Sequence, residues 1–316
     1  MLNTLFIGCG GAGSNITEAI KNNLGDKTFC KFLTIDTSNV NQKEGIDFTH
    51  IKSSSNNGVF LKGSGGLKGE NLEDIKKGVS DFIDANKLHQ FDGVIFLVFS
   101  SNGASGNVIA NSLLKKLLEN KVSVSCLIVH GTTSKQFATQ ALSTVREINK
   151  IAEVTDSAVT SIYFLNDTVS LTKVNEDIVK ELELVLRYHD VDNLVDIDAK
   201  DMQYFYKPKV YSKLNIPAGL YGICALPFGD IAQINEKYEI VIGRAITQTD
   251  EDPFKSHQIP QYKLGATTLE GKNESILLLL NNFKNHYGEL KKRFDAYDKD
   301  IKIFKIEEEN KDDIEY

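Results

Sequence analysis

Short apolar runs alternate with amphipathic segments along the first half of the chain. Each run has the length of a strand, and each intervening segment carries apolar residues at the three- to four-residue spacing of a helix. The predicted strands are LNTLFIG, FCKFLTID, GVIFLVF, SVSCLIVHG and SAVTSIYFLN, and the predicted helices begin at about Asn15, Glu70, Asn107 and Thr139. This βαβα order predicts an α/β fold, a Rossmann-like parallel sheet with helices on both faces.

The pattern changes in the second half of the chain. Residues Lys173 to His189 carry an apolar stripe at helical spacing, which predicts a long connecting helix. From Pro208 onward, β-rich runs between turn residues predict a smaller mixed α/β domain, and a C-terminal helix is expected from about Glu274 to about Tyr297. The predicted segments are a first domain with the connecting helix at 1–205, a C-terminal α/β domain at 206–272, and a terminal helix with an acidic tail at 273–316.

Composition narrows the possible partners and compartments. The 316 residues, 41% of them hydrophobic, can bury a substantial core, and the net charge of -7 argues against non-specific binding to nucleic acid or to acidic membranes. The four cysteines fall singly in apolar stretches, which predicts reduced, structural thiols. The sequence shows neither a basic leader with a long apolar run nor an apolar segment of roughly 20 residues, so we expect a cytoplasmic protein.

Two glycine-rich loops follow predicted strands. The first, Gly8 to Asn15, opens the first helix, so backbone N–H groups and the helix dipole converge where a phosphate can bind. With Asp36 after the next strand it also meets the fingerprint of a dinucleotide site, which on this motif alone favours NAD. The second loop, Ser100 to Asn107, is not part of that fingerprint, and two such loops supply enough donors for a nucleotide di- or triphosphate. The alternatives are tight helix packing for the first loop and a helix N-cap for the second.

Two further segments carry candidate chemistry. Lys62 to Gly69 is glycine-rich and is either a surface loop or a contact to a terminal phosphate. Val195 to Met202 carries three carboxylates after the connecting helix, at positions 196, 198 and 201. Such a run is commonly a solvated turn with an N-cap, but two acids spaced DxxD can also orient a water for attack on a γ-phosphate held by a neighbouring subunit.

These elements, in this order, resemble the tubulin/FtsZ superfamily. GlyCysGlyGlyAlaGlySerAsn is similar to the first nucleotide loop of that family, and SerAsnGlyAlaSerGlyAsn is similar to its signature loop GGGTGSG. The second match is looser because Asn102 and Ala104 stand at glycine positions and Ser105 stands at the threonine or serine position. AspIleAspAlaLysAspMet is similar to the catalytic loop NxDxxD, with Asp196 in the asparagine position.

The resemblance implies a GTPase that binds GTP or GDP with Mg²⁺ and assembles head to tail, so that hydrolysis requires the filament. Asp198 and Asp201 would be the catalytic residues, acting on the nucleotide of the adjoining subunit. Asn166 and Asn175 would contact guanine. The other residues implied in nucleotide binding are Gly10, Gly11, Ala12, Asn15, Gly66, Gly69, Asn102, Gly103, Ala104, Ser105, Gly106 and Asn107.

Within the superfamily, the compact length, the long terminal helix expected from the sequence and the acidic tail look most like the tubulin-like proteins of large bacteriophages. In that group the tail contacts the next subunit, and the filaments position phage DNA in the host cytoplasm. This implies self-association, with phage DNA or capsids as indirect cargo and no direct contact with nucleic acid or membrane. The alternatives are a NAD-dependent oxidoreductase, for which none of the six histidines forms a recognisable proton-donor motif, and a nucleotide-dependent polymer without hydrolysis.

Overall fold

The computed structural model describes residues 1–52, 72–166, 171–190, 199–211, 216–227, 240–247, 266–269, 276–282 and 286–297. The strands are β1 (Thr4–Cys9), β2 (Cys30–Asp36), β3 (Asp47–His50), β4 (Val94–Ser100), β5 (Ser123–Gly131), β6 (Ala158–Asn166), β7 (Gly219–Pro227), β8 (Ile240–Thr247), β9 (Ala266–Leu269) and β10 (Ile276–Asn282). The helices are α1 (Gly10–Leu24), α2 (Leu72–Ala85), α3 (Ala104–Glu119), α4 (Lys135–Val154), α5 (Leu171–Arg187), α6 (Ala199–Tyr206), α7 (Pro208–Tyr211) and α8 (286–297).

In the described part of the chain all strands belong to one sheet, in the order β3-β2-β1-β4-β5-β6-β7-β10-β8-β9. The pairs from β3 to β7 are parallel, whereas β10 runs antiparallel to both β7 and β8. Parallel strands need helical crossovers that cover both faces, and strands such as β4, VIFLVFS, are accordingly apolar without alternation. The predicted Rossmann-like α/β fold with a long connecting helix is confirmed.

The core lies in two layers, one on each face of the sheet. Alternate residues of β1 point to opposite layers, as the two-residue period of a strand requires. Phe6 packs in the layer that contains residues of α1, α5 and α6. Ile7 packs in the other layer, with residues of α2, α3 and α4. Both side chains are fully buried, so the central strands are rigid supports for the loops at their ends.

One predicted element is wrong. The expected helix from about Glu274 to about Tyr297 contains strand β10 at Ile276–Asn282, and α8 begins only at residue 286. A continuous apolar run fits a buried strand as well as a helix, and here it pairs with β7 on one side and β8 on the other. The division into domains at 1–205, 206–272 and 273–316 stays a prediction, although strand β7 continues the parallel sheet of the first segment.

Helix α1 begins at Gly10 rather than near Asn15, α3 begins at Ala104 and α4 at Lys135, so each starts three to five residues earlier than predicted. The glycine-rich segments therefore form the first turns of helices. The cysteines at 9, 30 and 126 are free, and burial raises the pKa of Cys126 to about 12, as expected for an unreactive thiol. No helix among the described residues has the length and apolar character to cross a membrane.

Candidate functional site

The two glycine-rich loops lie side by side at the carboxyl ends of the parallel strands, which form one edge of the sheet. Strands β1 and β4 are parallel neighbours, with Gly8 paired to Val98, so the helices that follow them start next to each other. Gly10 has φ +71°, a left-handed conformation that glycine adopts without strain. A Cβ atom on Gly10 would lie 2.6 Å from Gly106 Cα, and one on Gly106 would lie 2.5 Å from the Cys9 carbonyl oxygen. The starts of α1 and α3 thus touch through backbone atoms.

Both helix starts leave their first N–H groups uncapped. Cys9 and Gly103 are the N-cap residues of α1 and α3, and among the described residues neither helix has a side-chain cap or an acidic residue in its first turn. Helix α4 differs, because the Ser134 hydroxyl accepts a hydrogen bond from the Phe137 N–H at 3.2 Å. Uncapped N–H groups and the positive end of the helix dipole attract anions. Two such ends therefore converge on one point.

The carboxylate of Asp36, at the end of β2, forms hydrogen bonds with the turn that follows β2 and with the start of α3. Its carboxylate is 1% exposed and accepts hydrogen bonds from the Thr37 N–H at 2.7 Å, the Asn41 amide at 2.6 Å and the Ser105 hydroxyl at 3.4 Å. The same Asn41 amide lies over Gly11, where a Cβ would come within 2.8 Å of Nδ2. Asp36 is thus engaged inside the protein rather than presented to a ribose. Asn41 had no sequence signal, because an asparagine in a short turn is unremarkable.

Two asparagines of the signature loop have partners inside the protein. Asn102 Oδ1 accepts the Gly131 N–H at 2.6 Å, and Asn102 Nδ2 donates to the Phe137 carbonyl at 3.1 Å. Asn107 is 1% exposed; its Nδ2 donates to the Thr144 hydroxyl, and its Oδ1 accepts from Asn111. Both amides hold the loop and the start of α3 against α4. They support the site rather than line it.

The remaining predicted contacts of these two loops face the open edge to different extents. Ala12 and Asn15 are exposed on α1, and they lie one turn apart on the same side of the helix. The half-buried residues are Gly11, Gly103, Ala104 and Ser105, whereas Gly10 and Gly106 are buried at the contact between the helices. A ligand bound at the starts of α1 and α3 would contact the exposed and the half-buried residues, but not Gly10 and Gly106.

Asn166 lies at the end of β6, and Asn175 lies on α5, which packs against both β6 and α1. Asn166 is the last residue of β6, and its carbonyl accepts the Thr132 N–H at 3.1 Å, which places it at the same sheet edge as the glycine loops. Asn175 is half-buried on α5 and lines a groove of about 510 Å³ between α5 and α1. Leu171, one turn earlier on α5, is 65% exposed. Sequence analysis did not single out Leu171, because an apolar residue at the start of a helix carries no signal of its own.

Gly66, Gly69 and Asp198 lie outside the described residues, and Asp201 is described only as part of the backbone of α6. The segment of α6 and α7 crosses the amino-terminal edge of the sheet. Gln203 donates to the Asp92 carboxylate at 3.1 Å, just before β4, and Lys209 pairs with Asp156, just before β6. The six residues of β1 span about 20 Å, so α6 and the glycine loops lie at opposite edges of the sheet.

Among the described residues no group of three or more His, Cys, Asp or Glu side chains is placed to hold a metal ion. The buried acid nearest the glycine loops, Asp36, already accepts hydrogen bonds from Thr37, Asn41 and Ser105. A Mg²⁺ ion at this edge would therefore depend on phosphate oxygens and water, the ligands it commonly keeps in nucleotide sites. The described residues fit the nucleotide better than they fit the ion alone.

No family model matches the sequence, and no curated protein matches it either. Solved structures do. TubZ from bacteriophage PhiKZ, described as a protofilament, superposes with a TM-score of 0.74 at 17% identity, over 95% of this chain and 92% of that one. The phage tubulin PhuZ with GDP gives 0.71 at 13% identity, over 96% and 93%. CetZ2 from Haloferax volcanii, a GTPγS-bound protofilament, gives 0.63 at 16% identity, over 94% and 100%.

At these identities the likeness concerns the fold. It extends over nearly the full length of both chains. The parallel sheet, the long connecting helix and the adjacent glycine-rich helix starts agree with this likeness in fold. The chain has the tubulin/FtsZ-superfamily fold.

Proposed function

We propose that the chain is a filament-forming GTPase that binds GTP at the carboxyl edge of its sheet and hydrolyses it when a second copy stacks head to tail. The observation that carries this proposal is the placement of α6. The helix that bears Asp201 and the glycine-rich helix starts lie at opposite edges of one sheet, about 20 Å or more apart. One copy cannot bring these groups together, whereas two stacked copies can.

The converging starts of α1 and α3 support phosphate binding. Their uncapped N–H groups offer charge-assisted hydrogen bonds, and two helix dipoles point at the same place. The close packing of Gly10 against Gly106 brings the two sets of donors within the span of a di- or triphosphate. Gly11, Ala12, Gly103, Ala104 and Ser105 would contact the phosphates, and Gly66 and Gly69 are proposed at the terminal phosphate by resemblance alone.

The α1–α5 side of the site suits the base. Asn15, Asn166 and Asn175 provide amide groups that can both donate and accept, as a guanine edge requires. Leu171 precedes Asn175 by one helical turn, so the two project from the same side of α5, and its exposed apolar side chain can cover a base plane. The groove beside Asn175 is polar on its α1 wall, with Asn22 and Asn23.

The acids of the neighbouring subunit would complete the chemistry. Asp198 and Asp201 would accept hydrogen bonds from a water and align it with the γ-phosphate, since phosphoryl transfer depends on positioning and charge more than on covalent steps. Carboxylates beside a bound triphosphate repel it. The placement of α6, the helix that bears Asp201, at the amino-terminal edge of the sheet would separate binding from hydrolysis and tie hydrolysis to assembly.

The alternative hypothesis, a NAD-dependent oxidoreductase, loses its main support. Asp36, which would bind the ribose, is buried and already accepts four hydrogen bonds. His130, His189 and His286 are fully buried, and burial lowers the pKa of each, so none is presented as a proton donor to a ligand. A role in positioning phage DNA in the host cytoplasm is a further proposal that rests on the resemblance and on phage proteins among the similar structures.

Light scattering and phosphate release, measured together with GTP, GDP or NAD over a range of protein concentrations, test the proposal. We expect scattering that requires GTP and a specific activity that rises with protein concentration. Asp201→Ala should assemble but release phosphate at least about tenfold more slowly, whereas Asp81→Ala, an exposed acid on α2, should match the wild type. Assembly or phosphate release that is independent of GTP or of protein concentration would refute the proposal.

A further inference from the structure

A chain of buried hydrogen bonds lies beneath α6. His189 follows α5 directly and is fully buried. Its Nε2 lies 2.6 Å from the Tyr206 hydroxyl at the end of α6, and its Nδ1 lies 2.7 Å from the Thr4 hydroxyl at the start of β1. The Thr4 hydroxyl in turn donates to the Leu2 carbonyl at 3.1 Å. The imidazole of His189 thus joins α6 to β1.

The chemistry of these groups fixes the direction of each bond. The single Thr4 proton is donated to Leu2, so Thr4 must accept from His189 Nδ1–H, and Nε2 is left as the acceptor for the Tyr206 O–H. Burial lowers the pKa of His189 to about 3 and raises that of Tyr206, so both groups are neutral. The His189 carbonyl also accepts the Leu2 N–H at 2.8 Å. Every ring nitrogen has its partner.

The rest of the α6 contact on this side is apolar. Met202 and Phe205 are fully buried in the same core layer, one turn of helix from each other. Apolar contacts are not directional, so they allow a helix to rotate about its axis. The Tyr206 hydroxyl has a specified, buried partner, and together with the exposed hydrogen bond from Gln203 to Asp92 it fixes the rotation. Since helix Cα atoms lie about 2.3 Å from the axis, a rotation of about 30° would shift the Cα of Asp201 by about 1.2 Å.

We propose that His189 is a positioning residue, which holds α6 through Tyr206 in the orientation that presents Asp201 to the nucleotide of the next subunit. This inference rests on the proposed function. It adds a requirement that neither the acidic loop nor the glycine loops contain: a polar anchor buried between α6 and β1. Misplacement of a catalytic group by about 1 Å costs about a hundredfold in rate, so the loss of one hydroxyl should be measurable.

Three variants separate the two bonds of the imidazole. Tyr206→Phe removes the hydroxyl without changing the shape of the ring. His189→Asn keeps an N–H for Thr4 but cannot reach Tyr206, whereas His189→Gln places an amide oxygen near Nε2 and can accept from Tyr206. Tyr221→Phe is the matched control: it also removes one hydroxyl from a tyrosine in the same core layer, but that hydroxyl donates to the Pro217 carbonyl at 3.0 Å.

The measured quantity is phosphate release per polymerised subunit, obtained from phosphate assays and from protein pelleted with GTP, beside the GTP affinity of the monomer. We expect Tyr206→Phe and His189→Asn to lower release per polymerised subunit about tenfold or more, with monomer affinity changed by less than about twofold. His189→Gln should recover most of the rate. Tyr221→Phe should behave as the wild type, even where thermal unfolding shows that it is as destabilised as Tyr206→Phe.

Equal rates per polymerised subunit in Tyr206→Phe and Tyr221→Phe would overturn the inference and leave the proposed function standing. If the wild type itself formed no GTP-dependent polymer, the proposed function would fail and the inference with it. Should His189→Asn not fold, Tyr206→Phe carries the test, because it differs from the wild type by one oxygen atom. A fall in GTP affinity that accounted for the whole rate loss would also contradict a role in positioning α6.

Discussion

The contact between Gly10 and Gly106 makes a sharp prediction for Gly106→Ala. The added Cβ would lie 2.5 Å from the Cys9 carbonyl oxygen, where ordinary contact begins at about 3.4 Å. Cys9 is the last residue of β1, and the sheet holds it in register with Ile35 of β2, so its carbonyl cannot swing away. The start of α3 must therefore move by about 0.9 Å relative to α1.

Two opposing effects act on stability, and a third acts on binding. Alanine is favoured over glycine inside a helix by about 1 kcal/mol, while overpacking costs about 1–3 kcal/mol, so the net destabilisation should be small. Binding is more sensitive. A shift of about 0.9 Å stretches a hydrogen bond of about 2.9 Å beyond its useful range. Each charge-assisted bond to phosphate that is lost costs about 1.5–3 kcal/mol, which is about ten- to a hundredfold in affinity.

Titration of the monomer with a fluorescent GDP analogue measures this loss, and thermal unfolding measures stability. Gly288→Ala on α8 is the control for helix propensity, since no atom lies within 4 Å of its Cβ position. Affinity in Gly106→Ala equal to that in Gly288→Ala would refute the argument that the two helix starts form one phosphate site.

Three further predictions concern the surroundings of the site. Asn102→Ala removes the acceptor of the Gly131 N–H and should lower the free energy of unfolding by about 1–3 kcal/mol in urea titrations, whereas Asn120→Ala, on an exposed helix end, should change it little. Asn175→Ala should weaken GTP binding about tenfold without lowering the melting temperature, and Asp177→Ala, an exposed position of α5 outside the groove, should do neither. Burial lowers the pKa of His130 and His189 to about 3, so between that value and about 6.5 the unfolded chain binds protons that the native one does not. The free energy of unfolding should thus be highest above about pH 6.5 and fall toward lower pH by about 1.4 kcal/mol per pH unit for each histidine; a flat profile from about pH 7 to pH 5 would contradict this.

The parallel sheet could be predicted because its strands are buried on both faces and read as continuous apolar runs. The same property misled the prediction for Ile276–Asn282, where a run of apolar residues does not distinguish a strand from a helix. Helix starts were placed too late for a related reason. Glycine and small polar residues suggest a loop, but the first turn of α1 is built from them because side chains there would block the contact with α3.

The motifs of the candidate site could be predicted from the sequence, but their positions relative to one another could not. Motif spacing indicated that Gly10 and Gly106 belong to phosphate loops, and the parallel pairing of β1 and β4 brings them together. Spacing gave no indication that Asn107 is buried and bonded to Thr144, since a buried and an exposed asparagine look alike in a sequence. Nor could it place α6 at the far edge of the sheet, which depends on long-range contacts such as that of Gln203 with Asp92.

The departures from the signature loop bear on whether a filament of this chain turns over its nucleotide. Asn102 and Ala104 stand where the resembling family has glycine, and extra Cβ atoms could obstruct a phosphate. However, the amide of Asn102 is directed to Gly131 and Phe137, toward the start of α4, and the contact between α1 and α3 retains glycine at both positions 10 and 106. Asn102 thus stabilises the loop without filling the point where α1 and α3 converge. We infer that the capacity for hydrolysis depends less on this loop than on how α6 of the next subunit is held, which makes the bond between Tyr206 and His189 the more informative one to break.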